Sequence, residues 1–372
     1  MIKNIKIQNF KSHQNTNVSL GNLTLFSGQN GVGKSSIIQA LLLLRQNYQQ
    51  NNLQEYLDLG GNLCQIGFSQ DARYQYAKED FLGIELEIND EKLKWHFLYD
   101  ILDSKATLLK LKYSEGNINK LKNTSLVNEN FQYLSAARLA PKESYEKDDK
   151  LVVIKKQISR LKGQGELVAH FLNYYGKNNI EFKELMNQNS VYADLFSQTA
   201  AWEREISENI NVKIEEVGSG FAIKYNFDVK EGTPTNNFRA ENVGFGVTYA
   251  LPIIVAILTA KKDALILIEN PEAHLHPHAQ VKLAQLICLA AEVGIQIIIE
   301  THSDHILNGV LVACKNKQIK KDNIKIYQFD RNETLHCAQA IPIEVLEGGR
   351  LKNQPKGFFD QIDKDLEILM GF

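Results

Sequence analysis

The most informative stretch of this sequence is Gly28-Gln29-Asn30-Gly31-Val32-Gly33-Lys34-Ser35. It fits the pattern G-x-x-x-x-G-K-[ST]. It stands between an apolar run at 22–27, typical of a strand, and an apolar-rich segment at 35–46, typical of a buried helix. Glycines let such a loop curl, so that backbone N–H groups converge on an anion while the helix adds the positive end of its dipole. The sequence therefore predicts a strand, a phosphate-binding loop and a helix in succession.

The residues of this loop also predict its ligand. The Lys34 ammonium is expected to reach the β- and γ-phosphates of ATP, and the Ser35 hydroxyl is expected to ligate Mg²⁺. A glycine-rich turn without a ligand is the alternative, but the flanking strand and helix favour a P-loop. The predicted nucleotide-binding residues are Gly28, Asn30, Gly31, Gly33, Lys34, Ser35 and Ser36.

The remainder of the chain is predicted to complete an α/β fold. Apolar residues alternate with a period of two from 81 to 113, with turn residues at Asn89 and Asp90, which indicates an antiparallel meander. Strands alternate with helices in the last third, which indicates a mainly parallel core sheet. The predicted organisation is an N-terminal lobe at 1–114, a helical insert at 115–211 with helical spacing from Phe182 to Ile210, a C-terminal lobe at 212–345 and a helical tail at 346–372.

Two apolar strands in the last third end in chemically active residues. The first, Leu265-Ile266-Leu267-Ile268-Glu269, is a Walker B pattern, so it is expected to lie beside the P-loop strand and to hold Glu269 near the Mg²⁺ shell. The second runs into Thr301-His302-Ser303, where His302 can hydrogen-bond the γ-phosphate and report its presence. The alternatives are a buried strand that merely ends in an acid, and a structural histidine beside a Ser303 that caps the next helix.

Four motifs together resemble one family. They are N-F-K-S-H at 9–13, the P-loop, E-N-P-E-A-H-L-H-P at 269–277 and E-T-H-S-D-H-I-L at 300–307. In combination they resemble the SMC/RecF/OLD-like branch of ABC-type ATPases. More narrowly, they are similar to bacterial AAA-family predicted ATP-binding proteins with a C-terminal domain of unknown function, some of which occur in anti-phage defence operons. The resemblance covers roughly 1–70 and 240–372, and it implies an ABC-type ATPase head.

The resemblance implies a signature loop that completes the ATP site of a partner chain. The best match is the segment 242–248, with Gly244 and Gly246 at the entry of a helix, although it departs from the usual L-S-G-G-Q. Small residues and free N–H groups at a helix start suit a γ-phosphate. A plain helix-entry turn is the alternative. One chain has one copy of each half-site, so we expect an ATP-stabilised homodimer or higher even oligomer.

The catalytic acid departs from the pattern of ABC-type enzymes, which usually place a glutamate directly after the Walker B acid. That position is Asn270, an amide that cannot accept a proton, and Glu272 is the nearest carboxylate. Two hypotheses stay open. Either Glu272 acts as the base, or hydrolysis is slow and ATP serves mainly as a dimerising ligand. The predicted catalytic residues are Glu269, Asn270, Glu272 and His302.

The sequence disfavours a zinc site and a nuclease centre. His274, His276 and His278 have alternate spacing that suits zinc, but prolines interrupt it, and the resemblance makes this stretch the D-loop at the dimer interface. Asp363 and Asp365 form the D-x-D pair of a Toprim nuclease, but only seven residues follow, too few to complete that sheet. We expect instead a terminal helix with inward-packing residues Ile362, Leu366, Leu369 and Met370.

Other polar residues have open assignments. Lys11 and Arg138 are basic residues that can approach a nucleotide, although a solvated surface position suits each equally. Gln65 or Gln70 can be the glutamine that links nucleotide state to a neighbouring domain, and the sequence favours neither.

The composition narrows the class of protein. The net charge of −2 provides no overall electrostatic attraction for nucleic acid. A local basic patch stays an alternative, because net charge does not describe how charges are distributed. The four cysteines are scattered, which argues against a zinc ribbon or a disulfide framework. The longest apolar candidate, Tyr249 to Ala260, suits a buried helix rather than a membrane span. The N-terminus lacks the apolar core of a signal peptide, so a cytoplasmic location without membrane contact is expected.

These observations predict an ATP hydrolase whose nucleotide-dependent dimerisation controls a partner effector in bacterial anti-phage defence. We expect that effector to be a nuclease or toxin encoded by a neighbouring gene. A nucleotide-gated scaffold with little hydrolysis is the first alternative. An ATPase that senses DNA structure through the insert, with nucleic acid as its partner, is the second.

Overall fold

The structure is a computed structural model that describes residues 1–160, 162–230, 232–355 and 357–371, without the side chains of 361–363. The strands are β1 (Ile2–Phe10), β2 (His13–Ser19), β3 (Leu23–Gly28), β4 (Tyr56–Asp58), β5 (Phe81–Ile88), β6 (Glu91–Leu98), β7 (Leu108–Glu115), β8 (Phe131–Leu134), β9 (Ile210–Val217), β10 (Gly220–Phe227), β11 (Phe238–Arg239), β12 (Leu265–Glu269), β13 (Gln296–Glu300), β14 (Ile324–Arg331), β15 (Ala338–Val345) and β16 (Leu351–Lys352). The helices are α1 (Lys34–Gln49), α2 (Ser69–Ala72), α3 (Val168–Tyr175), α4 (Leu195–Ile206), α5 (Phe245–Leu258), α6 (Pro277–Glu292), α7 (Asp304–Lys315) and α8 (Gln361–Met370).

The core sheet has the order β16-β15-β14-β3-β13-β12-β8, and its five strands from β14 to β8 are parallel. Successive residues of a central strand face opposite sides. Ile266 and Ile268 pack into one apolar cluster, whereas Leu265 and Leu267 pack into the other. Burial on both faces explains the uninterrupted apolar runs of these strands. The predicted mainly parallel core sheet is confirmed.

The predicted antiparallel meander is also confirmed. Strands β5, β6 and β7 lie side by side in a second sheet of order β2-β1-β5-β6-β7-β4. The turn between β5 and β6 is made by Asn89 and Asp90, whose φ angles are 49° and 66°. Both residues are left-handed, as the tight hairpin turn compatible with strand twist requires. This sheet contributes to the same apolar cluster as α1 and thereby supports the helix that follows the P-loop.

The segment 115–211, predicted as a helical insert, includes a strand of the core sheet. Strand β8 pairs in parallel with β12, and its Phe131 and Leu134 are buried. Helical spacing predicted from Phe182 to Ile210 becomes an α-helix only at α4, because Asn187 makes a local turn in which its Oδ1 accepts a 2.9 Å hydrogen bond from the N–H of Asn189. Asp194 then caps α4. A strand of four residues is too short to show a period of its own.

Helix α5 contains most of the longest apolar run, and its residues from Ala250 to Leu258 are buried. It packs against α4, α6 and the core sheet, which confirms the prediction of a buried helix. Among the described residues, no helix combines the length and apolar character needed to cross a membrane.

The predicted terminal helix exists as α8, but the expected inward packing of its apolar residues is wrong. Leu366, Leu369 and Met370 are 46%, 81% and 62% exposed. The reason is that Phe358, which precedes the helix and is 5% exposed, makes the contact with the core instead. The side chains of Ile362 and Asp363 lie outside the described residues.

Candidate functional site

The P-loop connects β3 to α1 and needs glycine at two tight positions. Gly28 has a φ of 131°, and a Cβ atom there would lie 2.3 Å from the carbonyl oxygen of Phe329. Gly33 has a φ of 108°, and a Cβ atom there would lie 2.6 Å from the hydroxyl oxygen of Ser12. Side chains other than hydrogen are therefore excluded by both conformation and space. The loop has the curled shape predicted from its glycines.

Two side chains outside the loop fix its position. The Nε2 atom of His13 donates to the carbonyl of Gly33 at 2.9 Å, and its Nδ1 atom lies 2.8 Å from the hydroxyl of Thr16. Burial lowers the pKa of His13 to about 4, so the ring is neutral at neutral pH. Arg331, at the end of β14, donates to the carbonyl of Gly31 at 2.6 Å. Neither role was predicted, and the only signal in the sequence was the position of His13 in the N-F-K-S-H motif.

The start of α1 forms a cradle for an anion. Its N-cap is Gly33, which supplies no side-chain hydrogen bond, and no acid lies in its first turn. Lys34 is 3% exposed, and its ammonium donates to the carbonyls of Gly28 at 2.9 Å and Gln29 at 2.7 Å. Burial lowers the pKa of Lys34, while Glu300 and Glu272 oppose that shift. An adjoining cavity of about 420 Å³ is lined by Lys11, Ser12, Asn30, Gly31, Gly33, Lys34, Ser35, Ser36, Gln39 and Glu300.

Glu300 is the acid that contacts the P-loop, and no role was predicted for it. Its Oε1 accepts a 2.9 Å hydrogen bond from the Ser35 hydroxyl and lies 3.9 Å from the Lys34 ammonium. Its Oε2 is buried and has no hydrogen-bond partner in the part of the chain that the structure describes. Burial raises the pKa of Glu300, the Ser35 hydrogen bond lowers it, and the neighbouring Glu269 raises it further. A buried, unpartnered carboxylate oxygen beside a hydroxyl fits a hard cation such as Mg²⁺.

The expectation that Glu269 lies on the strand beside β3 is wrong. Strand β13 lies between β3 and β12, so Glu269 is the register neighbour of Glu300, one strand farther from the loop. Its carboxylate accepts hydrogen bonds at 3.1 Å from the Tyr133 hydroxyl and from the N–H of Ala136. Burial raises the pKa of Glu269, whereas these two donors lower it. Strand order depends on the path of the chain between strands, which apolar runs do not encode.

Arg138 is buried, so the solvated surface position considered for it is wrong, and its approach to a nucleotide stays a prediction. It is 2% exposed and donates to the carbonyls of Glu269 and Asn270, each at 2.7 Å. Asn270 has a φ of 45°, and its N–H donates to the carbonyl of Glu300 at 2.8 Å. Burial lowers the pKa of Arg138 to about 10, which leaves the guanidinium charged at neutral pH. Arg138 therefore stabilises the turn that follows β12.

Glu272 and His302 are brought together at the end of β13. The Glu272 carboxylate accepts hydrogen bonds from the Thr301 hydroxyl at 2.7 Å and from the N–H of His302 at 2.9 Å. Burial and the Lys34 charge lower the pKa of His302, whereas Glu272 and the Gly28 carbonyl raise it. Ser303 caps α7 by accepting hydrogen bonds from two N–H groups of its first turn. The capping role is thus observed for Ser303, and the switch role of His302 stays a prediction.

The two glycines of the signature-like loop lie outside the described lining of the Lys34 cavity. A Cβ atom at Gly246 would lie 2.5 Å from the carbonyl oxygen of His274, whereas a Cβ atom at Gly244 would meet no atom of the described residues within 4 Å. Phe245, the first residue of α5, is 48% exposed. This helix start therefore faces outward and packs on the turn that contains His274.

The three alternating histidines have other contacts. The His274 ring packs 4.6 Å from that of Tyr249, and the Nδ1 of His276 accepts from the N–H of His278 at 3.3 Å. Within the ranges that the structure describes, no group of three or more His, Cys, Asp or Glu is arranged to hold a metal ion.

Of the three remaining candidate residues, Lys11 lines the Lys34 cavity, whereas Gln65 and Gln70 are not among its described lining residues. Lys11 lines the cavity around Lys34 and donates to the Gln39 side chain at 2.8 Å. Gln65 and Gln70 are both exposed, and neither belongs to the described lining of the cavity.

Comparisons with known proteins agree with this geometry. Residues 23–308 match the family described as "AAA domain, putative AbiEii toxin, Type IV TA system", and residues 319–369 match a family of proteins of unknown function, DUF3696. The OLD nuclease of Thermus scotoductus is 23% identical over 82% of this chain and 59% of its own length. The DNA double-strand break repair Rad50 ATPase of Methanococcus maripaludis is 31% identical over 24% of this chain and 10% of its own length.

Solved structures share the fold. An Smc head bound to the C-terminal winged-helix domain of ScpA superposes with a TM-score of 0.57 and 13% identity, covering 92% of this chain and 98% of its own. An Smc head from Pyrococcus furiosus with an extended coiled coil, bound to the C-terminal domain of ScpA, gives a TM-score of 0.53 and 12% identity, covering 99% and 98%. The fold is that of an SMC-type ABC ATPase head. The chain spans less than two thirds of the curated relatives that it matches.

Three observations lead to one assignment: the P-loop between β3 and α1, the position of β13 between β3 and β12, and the family match across 23–308. The chain belongs to the AAA-domain family of putative AbiEii toxins, within the SMC/RecF/OLD-like branch of ABC-type ATPases.

Proposed function

We propose that this chain binds ATP with Mg²⁺ around Lys34, hydrolyses it slowly, and uses the bound nucleotide to pair two copies that control a partner effector in anti-phage defence. The observation that carries this proposal is a buried ammonium and a buried carboxylate that lie side by side at the P-loop. The Lys34 ammonium lies at the start of a helix whose first turn has no acid, and Oε2 of the buried Glu300 has no hydrogen-bond partner among the described residues. Mg·ATP supplies an anion for the first and a cation for the second.

Ser35 and Glu300 are the residues that would hold Mg²⁺, and Glu269 is the neighbour of Glu300 in strand register. The metal would neutralise negative charge on the phosphates. Lys34 would exchange its bonds to the carbonyls of Gly28 and Gln29 for bonds to phosphate oxygens. Arg138 would keep the turn at Asn270 in place by holding its carbonyl.

Glu272 would act on the attacking water, and His302 would face the terminal phosphate. Both assignments are supported by their shared location at the end of β13, because the N–H of His302 donates to the Glu272 carboxylate. Each carboxylate oxygen has two lone pairs, so an oxygen that accepts one hydrogen bond can still take a second from water. The water would then lose its proton to Glu272 as it attacks the γ-phosphorus and ADP leaves.

A nucleotide-gated scaffold is the second candidate. The observation that favours it is the engagement of Glu272, both of whose oxygens already accept hydrogen bonds from the segment 301–302. Asn270, which directly follows the β12 acid, cannot accept a proton. In this case ATP would be retained and would hold the dimer closed. Single-turnover hydrolysis measured together with ATP retention separates the two candidates.

Pairing of two copies is supported by the outward position of the signature-like loop. Gly244 has open space around it, and it does not line the Lys34 cavity of its own chain. The same loop from a second copy could cover that cavity and donate N–H groups to the terminal phosphate. The two Smc heads compared above are bound to domains of ScpA, and by analogy we assign this head a protein partner as well. A nuclease or toxin is favoured by the descriptions of the family and of the OLD relative.

The test measures ATP affinity and mass together. Wild-type chain is titrated with ATP and Mg²⁺ by calorimetry, and its mass is followed by light scattering. Lys34→Ala is expected to weaken binding about 100-fold, because a charge-assisted hydrogen bond to phosphate contributes about 1.5–3 kcal/mol. Lys320→Ala, a surface lysine paired with Glu292, serves as the matched control. The proposal would be refuted if the wild-type chain showed neither binding heat nor a change in mass at saturating Mg·ATP.

A further inference from the structure

The segment that follows β16 returns to the P-loop. Phe358 is 5% exposed and packs in the apolar core, and its N–H donates to the carbonyl of Pro355 at 3.2 Å. The ring of Phe359 lies edge-on at 5.0 Å from that of Phe358. The buried Phe358 and its hydrogen bond to Pro355 therefore fix where α8 begins. The exposed apolar residues farther along α8 are not needed for this placement.

The segment 357–360 and α8 border a second cavity of about 270 Å³ beside the P-loop. One side is lined by Gly28, Gln29, His302 and Gln328, and the other by Gly357, Phe359, Asp360 and Lys364. The Lys34 ammonium contacts the carbonyls of Gly28 and Gln29, so it stands at the boundary between this cavity and the one described above. A triphosphate held by Lys34 would present its terminal phosphoryl group toward His302 and hence toward this second cavity.

Lys364 is the cation among the described residues that line this cavity. Its ammonium lies 2.7 Å from Oδ1 of Asp360, one helical turn earlier, and Oδ2 of Asp360 accepts from the N–H of Gly357 at 2.9 Å. The Lys364 side chain is 41% exposed. An ion pair four residues apart on a half-exposed helix is weak, so the lysine can change partner without disrupting the fold. The other described lining residues, apart from Asp360, carry no charge when His302 is neutral.

We propose that Lys364 is a phosphate-binding residue that makes this site prefer nucleoside triphosphates over diphosphates. On nucleotide binding, its ammonium would leave Asp360 and donate to an oxygen of the terminal phosphoryl group. Asp360 positions the lysine in the free state and keeps it directed into the cavity. The inference rests on the proposed function, because it requires a nucleotide at Lys34. It gives the C-terminal segment, whose matching family has no assigned function, a role in distinguishing ATP from ADP.

The experiment compares ATP and ADP affinities, each with Mg²⁺, by calorimetry on the full chain. Lys364→Ala is expected to weaken ATP binding about tenfold and to leave ADP binding unchanged, because only ATP has the phosphoryl group that the lysine meets. Lys364→Arg, which keeps the charge, is expected to restore most of the preference for ATP. The matched control is Lys352→Ala, a surface lysine of the same region that pairs with Glu344.

The outcomes separate the two proposals. If the wild-type chain binds neither nucleotide, the proposed function and this inference both fail. If the wild-type chain binds both and Lys364→Ala keeps the same ratio of ATP to ADP affinity, only this inference fails. Equal weakening of both nucleotides would likewise overturn it, because it would show that Lys364 supports the fold of the site rather than the terminal phosphate. Melting temperatures of all variants identify such a structural effect.

Discussion

The Ser35 hydroxyl donates a 2.9 Å hydrogen bond to Oε1 of Glu300, a residue 265 positions farther along the chain. Strand pairing produces this contact, since β13 lies directly beside β3 and its register places Glu300 opposite Phe26. The acid that reaches the P-loop thus comes from the strand that precedes His302. Glu269, on the next strand, has its carboxylate held by Tyr133 and Ala136.

This relationship predicts different effects for two isosteric substitutions. Glu300→Gln keeps the shape but removes the charge beside Ser35, so Mg²⁺-dependent ATP affinity should fall about tenfold. Glu269→Gln should have a smaller effect on that affinity, because its partners lie on β8 and the following turn. Fluorescent nucleotide titrations at varied Mg²⁺ measure both. A larger loss of affinity in Glu269→Gln than in Glu300→Gln would indicate that Glu269, rather than Glu300, binds the metal.

Glu272→Gln tests the base assignment. We expect turnover to fall about 100-fold with ATP binding retained, because a positioned general base contributes about 10²–10⁴ to rate. Steady-state phosphate release and nucleotide titration give the two numbers. Glu292→Gln is the control, since Glu292 also accepts two hydrogen bonds but lies on α6 beside Lys320 and Asn323. An unchanged rate in Glu272→Gln would remove this carboxylate from the mechanism.

Substitutions of the two glycines in the signature-like loop should have different effects on stability. Gly246→Ala places a methyl group 2.5 Å from the His274 carbonyl oxygen, so the free energy of unfolding should fall by about 1–3 kcal/mol. The methyl group of Gly244→Ala would meet no described atom within 4 Å, so the free energy of unfolding should change by less than about 0.5 kcal/mol. Chemical denaturation measures both effects.

The same pair tests the role of the loop in a dimer. Gly244→Ala should weaken ATP-dependent association in light scattering, because its added methyl group would enter the surface that faces a second copy. A fully assembled Gly244→Ala protein would leave this segment as a helix-entry turn.

Glu203 predicts a pH-dependent stability. It is fully buried on α4, both carboxylate oxygens lack hydrogen-bond partners in the described structure, and burial raises its pKa well above the usual range. Because the folded pKa is higher than the unfolded one, the wild-type protein loses stability as the pH rises from the unfolded pKa toward the folded value. Glu203→Gln removes this loss. The free energy of unfolding of the variant, relative to that of the wild type, should therefore rise by up to about 1.4 kcal/mol per pH unit in this range.

Glu205, on the same helix, is the control of opposite sign. Burial acts to raise its pKa, but hydrogen bonds from Lys282 and Asn187 lower it overall. Its stabilisation is therefore present above the unfolded pKa and is lost as the pH falls through the folded one. Glu205→Gln should be less stable than wild type at neutral pH and should approach it in acid. Urea denaturation from pH 4 to 8 measures both variants. A pH-independent difference for Glu203→Gln would show that the carboxyl titrates normally.

Local sequence determined the elements that depend on neighbouring residues. The glycine spacing at 28–33 and the flanking apolar runs predicted the strand, the loop and helix α1. The period of two across 81–113 predicted the meander, and the apolar runs predicted β12 and β13. Each of these signals arises within about a dozen residues, because backbone conformation and burial of one face are local properties.

Only the tertiary structure decided which of these elements meet. Strand order placed β13 between β3 and β12 and thereby brought Glu300 to Ser35. The fold buries Arg138, for which the sequence allowed a surface position, and there its guanidinium supports the turn at Asn270. The return of the C-terminal segment brought Lys364 to the second cavity beside the P-loop, while Leu366, Leu369 and Met370 of α8 stayed exposed. Such contacts join residues far apart in the chain, and their energies depend on the packing of the whole core rather than on any local pattern.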